Sequence, residues 1–446
     1  MLAWDPSRVA AAAGAELAHR SATGGGGPRR TVIDSREAGE GDLFVGLRGK
    51  RADGGEFAAA ALAAGAWGAL VAPERAAGLD GPGHVLAAED PLLALQTLAH
   101  SWRSELGASV LGVTGSTGKT SVKDIARAML PGRVHASRDN FNTEIGLPLT
   151  ILEAPADSEL LVLEMAMRGA GQIRELCQIA EPDVVIITNV GPVHLELLGS
   201  LEAVAAAKAE ALEGLGDGFA VVPAEAGPLE AHLSGEVGLL RFGDGGDVYA
   251  RERVQGPAGT EALVVTPAGE QRFSFPFPEA YHLDNALAVI GAAVALELPL
   301  AEMARLAPRI TFSALRGEIV ELPGDATLIN DSYNANPVSM RAALDHLGSL
   351  AVSGRRIAVL GEMRELGPDA AEHHRAIGAH ARGAGADLLI GVGELGPAYE
   401  PDRTAADATA AAELLAAELG PGDAVLVKGS RAVGLERVAE LLREGR

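Results

Sequence analysis

The sequence predicts an α/β chain of three domains. A central P-loop domain carries a mostly parallel sheet, flanked by a small N-terminal α/β domain and a C-terminal doubly wound, Rossmann-like domain. Three observations predict it. The apolar residues Val110, Leu111 and Val113 lead into the turn TGSTGKT and then a helical pattern from Lys119 to Met129. Apolar runs recur at 160–165 and 184–189 with helical segments between them. Three more, at 356–360, 387–392 and 423–427, are each followed by glycine and a helical pattern. The expected domains are 1–106, 107–313 and 314–446.

Composition sets the frame. A chain of 446 residues suits about two to four domains, each with its own core. Hydrophobic residues at 48% and charged residues at 22% fit a soluble globular protein. A net charge of −23 argues against nonspecific binding to nucleic acid or an anionic membrane. Any anionic substrate must therefore be held by local cations, helix N-termini and metal ions. The single cysteine, Cys177, allows no intrachain disulfide and no four-thiolate zinc site. The N-terminus has no basic segment before an apolar core, and Asp5 comes early, so no secretion signal is expected. The run 58–72 is about 15 residues, short of the roughly 20 that a membrane span needs. A cytoplasmic enzyme is the expectation.

In the first domain, 31–33, 43–47 and 69–71 read as strands, and 58–65 and 91–105 as helices. Asp34, Ser35 and Arg36 leave a strand end together. They suit either a grip on a polar or phosphorylated ligand or an ordinary turn.

The central domain opens with the glycine loop. Backbone N–H groups from Thr114, Gly115, Ser116, Thr117 and Gly118 would face a phosphate at a helix N-terminus. Lys119 would reach the outer phosphates, and Thr120 would offer its hydroxyl to Mg²⁺. Val113 stands where the usual GxxxxGK[ST] spacing has its first glycine, so Gly115 makes the early turn. The plainer alternative is a left-handed turn with a solvated lysine. Further on, Glu164 and Asn189 end strands and His194 follows. A carboxylate and a histidine near Thr120 suit a nucleotide-bound metal; each also suits an ordinary loop contact. Asn140, Asn142 and Thr143 precede a helical run, where such residues also serve simply as caps. Lys208 lies in a strong helix pattern, where a lone lysine is usually solvated. The segment 213–275 suggests hairpins or an insertion at the sheet edge. A helix at 284–297 carries Asn285 near its start.

In the third domain Asp331, Asn334 and Asn336 cluster before Pro337. Such side chains often bond their own backbone in a turn. GEMRELG and VKGSR form loops at strand ends.

The motifs TGSTGKTSVK, NFNTEIGLP, TNVGPVHLELLGS, INDSYNANPVSM, GEMRELG and LVKGSR, in this order, resemble those of the Mur ligases of peptidoglycan synthesis. The resemblance covers essentially the whole chain. DSYNANP and GEMRELG resemble the branch that adds D-alanyl-D-alanine to UDP-N-acetylmuramoyl-tripeptide. The DYAHTP-like and DNPR-like runs of the branch that adds the third residue are missing. Three positions depart from the family pattern. Tyr281 occupies the usual place of a histidine, with His282 one residue off. Ala314-Leu315-Arg316 replaces Pro-Gly-Arg at the hinge, and Ala166 replaces a glycine.

The resemblance implies an ATP-dependent peptide ligase working through an acyl phosphate in cell-wall synthesis. It implies ATP contacts from Thr114 to Thr120 and from Asn285, Arg316, Asp331 and Asn334. One Mg²⁺ would be held through Thr120 and Glu164, and a second near His194. Lys208 would be carbamylated and support the metal; Lys119, Lys208 and His194 would carry the catalysis. Asp34, Ser35 and Arg36 would hold the UDP end, and Asn140, Asn142 and Thr143 the muramoyl-peptide channel. A monomer is expected. Two other readings stand beside it: another ligase of the group, adding the third residue or acting as a folylpolyglutamate-like enzyme, and a nucleotide-dependent switch without amide chemistry. The tripeptide's third residue stays open among lysine, ornithine and diaminopimelate.

Overall fold

Val110, Leu111 and Val113 are all buried, as a strand covered on both faces requires. In the computed structural model this run is the strand Ser109–Thr114. The structure describes residues 1–446 apart from 2, 23–25, 139, 234, 236, 257, 445 and 446, and apart from the side chains of 323 and 444. The strand lies inside a six-stranded sheet ordered Gly238–Phe242, Phe219–Pro223, Val184–Ile187, Ser109–Thr114, Leu160–Glu164, Val134–Ala136. Every pairing in it is parallel. The strands' carboxyl ends therefore open on one edge. Register places Val113 beside Glu164 and Thr114 beside Ile187. Glu164 and the loop after Ile187 thus flank the glycine loop.

Alternation along the strands feeds two cores. Leu111, Val113, Val162 and Ile186 pack with the helices Lys119–Met129 and Ala280–Ala295. Val110, Leu161 and Val185 face the opposite core. That core also takes Leu95, Leu98 and Trp102 of the helix Pro91–Leu106, together with Trp4 and Val9. Asp90 caps this helix and the left-handed Gly107 ends it. The helix is thus shared between the first sheet and the central one.

The segment 213–275 departs from expectation. Phe219–Pro223 and Gly238–Phe242 are parallel strands that extend the central sheet, not hairpins. Neighbouring glycine turns disguised two short buried runs. Only Tyr249–Gly256, Gly259–Thr266 and Gly269–Phe275 form an antiparallel three-stranded sheet, which buries Ala262, Val264, Phe273 and Phe275 against the central core.

The first sheet has five strands, ordered Glu16–His19, His84–Ala87, Gly68–Val71, Asp42–Val45, Arg30–Val32. Only its first pair is antiparallel. Its outer strand Glu16–His19 alternates exposed and half-buried residues, too weak a pattern to read from sequence.

The third sheet has six strands, ordered Glu318–Leu322, Ala326–Asn330, Ala424–Lys428, Arg356–Gly361, Leu388–Val392, Arg403–Ala405. It is parallel after its first pair and carries a core on each face, as a doubly wound unit does. Asn330 pairs with Val427, and Leu360 with Lys428. The loops bearing DSYNANP, VKGSR and GEMRELG therefore leave one edge side by side. That edge faces the glycine loop: Asn336 Nδ2 donates to Ser116 O at 3.4 Å.

Candidate active site

The glycine loop has the shape of a phosphate cradle. Gly115 has φ +145°, and a Cβ there would lie 1.8 Å from Thr188 Oγ1. Gly118 has φ +84° and precedes the helix Lys119–Met129. A Cβ on it would meet Asn285 Oδ1 at 2.8 Å, so Asn285 closes over the loop. Loop 188–191 holds the cradle from below. Ser116 N–H donates to Asn189 O at 3.0 Å, and Thr117 N–H to Asn189 Oδ1 at 3.1 Å. Lys119 Nζ folds back to Gly115 O at 2.8 Å. Burial lowers its pKa, Glu164 opposes that and Arg316 adds to it.

Thr120 is the junction of the site. Its hydroxyl donates to Glu164 Oε2 at 2.9 Å. It accepts from the Arg316 guanidinium at 2.9 Å. Glu164 Oε1 accepts from Asn142 Nδ2 at 2.8 Å. Arg316 in turn lies 4.1 Å over the ring of Tyr333, a cation–π contact. Thr120, Glu164 and Asn142 come from the central domain, and Arg316 and Tyr333 from the hinge and the third domain.

Lys428 organises the third-domain wall. It is 2% exposed, and its Nζ donates to Asp331 Oδ2 at 2.6 Å and to Asn334 O at 3.1 Å. Asn334 Oδ1 accepts from the Ala335 N–H, a local turn bond, and Asn336 caps the helix Pro337–Ser349. The turn chemistry expected of this cluster is present, with Asp331 held out of it by Lys428.

Lys208 overturns the reading of a solvated lysine. It sits on the helix Leu201–Ala209 and is 2% exposed. Among the described residues it has no hydrogen-bond or ion-pair partner. Burial, then the Lys119 charge, push its pKa well down, which favours a neutral and nucleophilic amine. His194 Nδ1 is hydrogen-bonded to the Glu365 carboxylate of the third domain. Burial lowers its pKa, and Glu365 opposes the shift.

A cleft of about 1150 Å³ gathers most of the residues singled out from sequence. Ser116, Thr117, Gly118, Lys119 and Thr120 line it, with Glu164, His194, Asn285, Arg316, Asp331 and Asn334. Asn140, Asn142 and Thr143 line it as well. Thr114, Gly115 and Lys208 are outside the lining. Asp34, Ser35 and Arg36 also lie away from it, on the first sheet's rim. There the exposed Arg36 folds onto Asp34 at 2.9 Å and holds its carboxyl down to about 2. Among the described residues no three His, Cys, Asp or Glu side chains converge on a metal position. Two hard oxygens, from Thr120 and Glu164, suit Mg²⁺, which takes few protein ligands beside phosphate and water. Sequence reasoning gave no role to Lys428, Tyr333 or Glu365. Their motifs were visible, but a contact across domains leaves no local signal.

Tyr281 and His282 now separate. Tyr281 faces the hinge: a Cβ on Gly317 would lie 3.7 Å from its hydroxyl, and its ring meets that of His346 at 6.5 Å. His282 stacks on Phe312 at 4.0 Å, with Phe277 at 5.4 Å, and its Nδ1 has no hydrogen-bond partner among the described residues.

Comparison with known proteins places this architecture. Residues 113–293 match the Mur ligase middle domain, and residues 315–431 the Mur ligase, glutamate ligase domain. The chain belongs to the Mur ligase family. Within it, the chain is similar to the UDP-N-acetylmuramoyl-tripeptide–D-alanyl-D-alanine ligase of Bacillus subtilis (strain 168), 34% identical over 428 residues and covering 93% of both chains. The enzyme of that name from Escherichia coli (strain K12) is 33% identical over 429 residues, again covering 93% of both. MurF from Acinetobacter baumannii superposes with a TM-score of 0.88 at 26% identity, covering 99% of each chain. MurF from Thermotoga maritima, solved with ADP, gives 0.83 at 30% identity, covering 93% of this chain and 97% of its own.

His282 carries a pH signature. Burial, then the His346 and Arg316 charges, hold its pKa at about 3. An unfolded histidine titrates near 6.5, so between these values only the unfolded chain takes the proton. Stability therefore falls as pH falls, by about 1.4 kcal/mol per pH unit for this group. Thermal unfolding between pH 6.5 and 4 should show a shallower acid decline in His282→Phe than in the parent; equal slopes would contradict this assignment.

Proposed function

We propose that this chain joins D-alanyl-D-alanine to UDP-N-acetylmuramoyl-tripeptide, converting ATP to ADP and phosphate. The observation that carries the reading is the Thr120 hydroxyl held between Glu164 and Arg316, where two domains meet over the glycine loop. The relatives' names supply the substrates. The division at 106/107 and 313/314 is part of the proposal. The first domain takes the UDP end through Asp34, Ser35 and Arg36. The central domain takes the triphosphate. The third closes over it and receives the dipeptide.

The chemistry sets what the residues must do. A carboxylate approaching a triphosphate is repelled, so the cleft must gather positive charge. Lys119 and the N–H groups that open the helix Lys119–Met129 hold the β- and γ-phosphates, and Arg316 adds charge from the hinge. The tripeptide's terminal carboxylate oxygen attacks the γ-phosphorus, and the bond to the β-phosphate oxygen breaks, giving an acyl phosphate and ADP. The dipeptide amine then attacks the acyl carbon, loses a proton, and phosphate departs with one carboxylate oxygen. Thr120 and Glu164 would hold Mg²⁺; His194 and, once carbamylated, Lys208 would serve a second ion. Such ions would supply positive charge to the phosphate oxygens. Asn285, Asp331 and Asn334 orient the nucleotide, and Asn140, Asn142 and Thr143 line the peptide's approach. A closed third domain keeps water from the acyl phosphate. The reading requires the cytoplasm, where ATP and UDP-linked precursors occur. Among the described residues no helix is long and apolar enough to cross a membrane. One chain completes the cleft, which fits a monomer.

Phosphate release should require both the tripeptide nucleotide and D-alanyl-D-alanine, and the product should gain the mass of one dipeptide less water. A requirement for a different amine would move the chain elsewhere in the family; ATP binding without release would favour a switch. Replacing Lys208 by alanine should cut turnover on the order of 100-fold or more, with no rescue by bicarbonate, because no amine remains to carbamylate. Near-parental turnover in that variant would remove Lys208 from the mechanism.

A further inference from the structure

The GEMRELG loop is the third-domain motif that the scheme above leaves unused. Its Glu365 crosses to the central domain, where the carboxylate accepts a hydrogen bond from His194 Nδ1. The other carboxylate oxygen lies 3.8 Å from the Arg168 guanidinium. The backbones meet too. Glu196 N–H donates to Glu365 O at 3.4 Å, and a Cβ on Gly367 would lie 3.6 Å from Glu196 Cα.

Both members of the pair stand on strained backbone, with φ +54° at His194 and +63° at Glu365. Non-glycine residues rarely adopt this conformation, and it persists where the surroundings over-determine it. The two residues face each other across a domain boundary, each on a backbone that its surroundings must hold. His194 lines the cleft and Glu365 does not. With Nδ1–H donated to a carboxylate, the lone pair is on Nε2. Among the described residues Nε2 has no hydrogen-bond partner. A carboxylate behind one imidazole nitrogen, with the other nitrogen free, is the arrangement that fixes ring orientation and basicity at metal sites.

We infer that Glu365 is a positioning residue: with the third domain docked, its carboxylate fixes the His194 imidazole so that Nε2 serves as a ligand for a divalent cation. This rests on the metal-dependent reading of the cleft given above. It makes cation affinity at His194 depend on domain docking, because the carboxylate arrives only with the third domain. Domain docking alone would use the same contact without touching cation affinity, and that difference is measurable.

The test uses the full chain with ADP, titrated with Mn²⁺ as the probe and followed by the electron-paramagnetic signal of the free ion. The expected result is a loss of Mn²⁺ affinity of about 10-fold or more in Glu365→Gln and Glu365→Ala, with KM for the tripeptide nucleotide within about two-fold of the parent. In a His194→Ala background the Glu365 substitutions should change affinity no further. Unchanged affinity in both single variants, even with slower turnover, would overturn the inference and leave Glu365 as a docking contact. A Glu365 effect that persists without His194 would overturn it as well. A parent chain that binds no Mn²⁺ with ADP would overturn both this inference and the metal reading beneath it. Thermal midpoints close to the parent's establish that the variants are folded.

Discussion

One hydroxyl ties the glycine loop, a strand end and the hinge together at the site. Thr120 Oγ1 has a proton to give and lone pairs to receive, and both are used: it donates to Glu164 and accepts from Arg316. The glycine loop, the strand end of Glu164 and the hinge are thereby tied at one atom. The parallel sheet sets this up, since register alone brings Glu164 beside the loop's own strand. Tyr333 then fixes the Arg316 guanidinium from the other face. In the proposed reaction the same residue would serve the metal, the phosphate and closure together.

Charge explains the rest of the wall. The chain as a whole carries −23, a field that repels nucleotides. Against it the cleft sets Lys119, Lys428 and Arg316, each withdrawn from bulk water by its surroundings. Lys428 is neutralised by Asp331, so it acts as a brace for the nucleotide wall. Lys208 has no such counter-charge among the described residues, and its neighbour Lys119 makes the amine harder to protonate. A group in that position has two ways to become comfortable: remain neutral or acquire negative charge. Carbamylation achieves the second and would convert repulsion from Lys119 into attraction.

Much of this was legible in the sequence because its signals are local. The strand, glycine loop and helix from Ser109 to Met129 depend on neighbours in the chain, and the helix occupies its expected span. The strand-end position of Glu164 followed from the same logic, whereas the strand Val184–Ile187 stops short of Asn189. What stayed hidden depends on distant partners. Lys208 reads as solvated in an alanine-rich helix, and only the packing around it reveals burial. Lys428, Tyr333 and Glu365 gain meaning from Asp331, Arg316 and His194, which lie far away in sequence or across a domain boundary. The strands Phe219–Pro223 and Gly238–Phe242 were missed for a related reason: short buried runs beside glycine turns take their direction from the sheet they join.

The central claim is that the cleft activates a carboxylate by phosphorylating it before the amine arrives. The most direct measurement labels the terminal carboxylate of UDP-N-acetylmuramoyl-tripeptide with oxygen-18 and analyses the phosphate released on turnover with D-alanyl-D-alanine. Transfer of one labelled oxygen to each phosphate formed is the predicted result, since the acyl carbon–oxygen bond breaks when the amine attacks. Unlabelled phosphate would show that ATP is cleaved by water, and that the Thr120 junction serves something other than acyl phosphate formation.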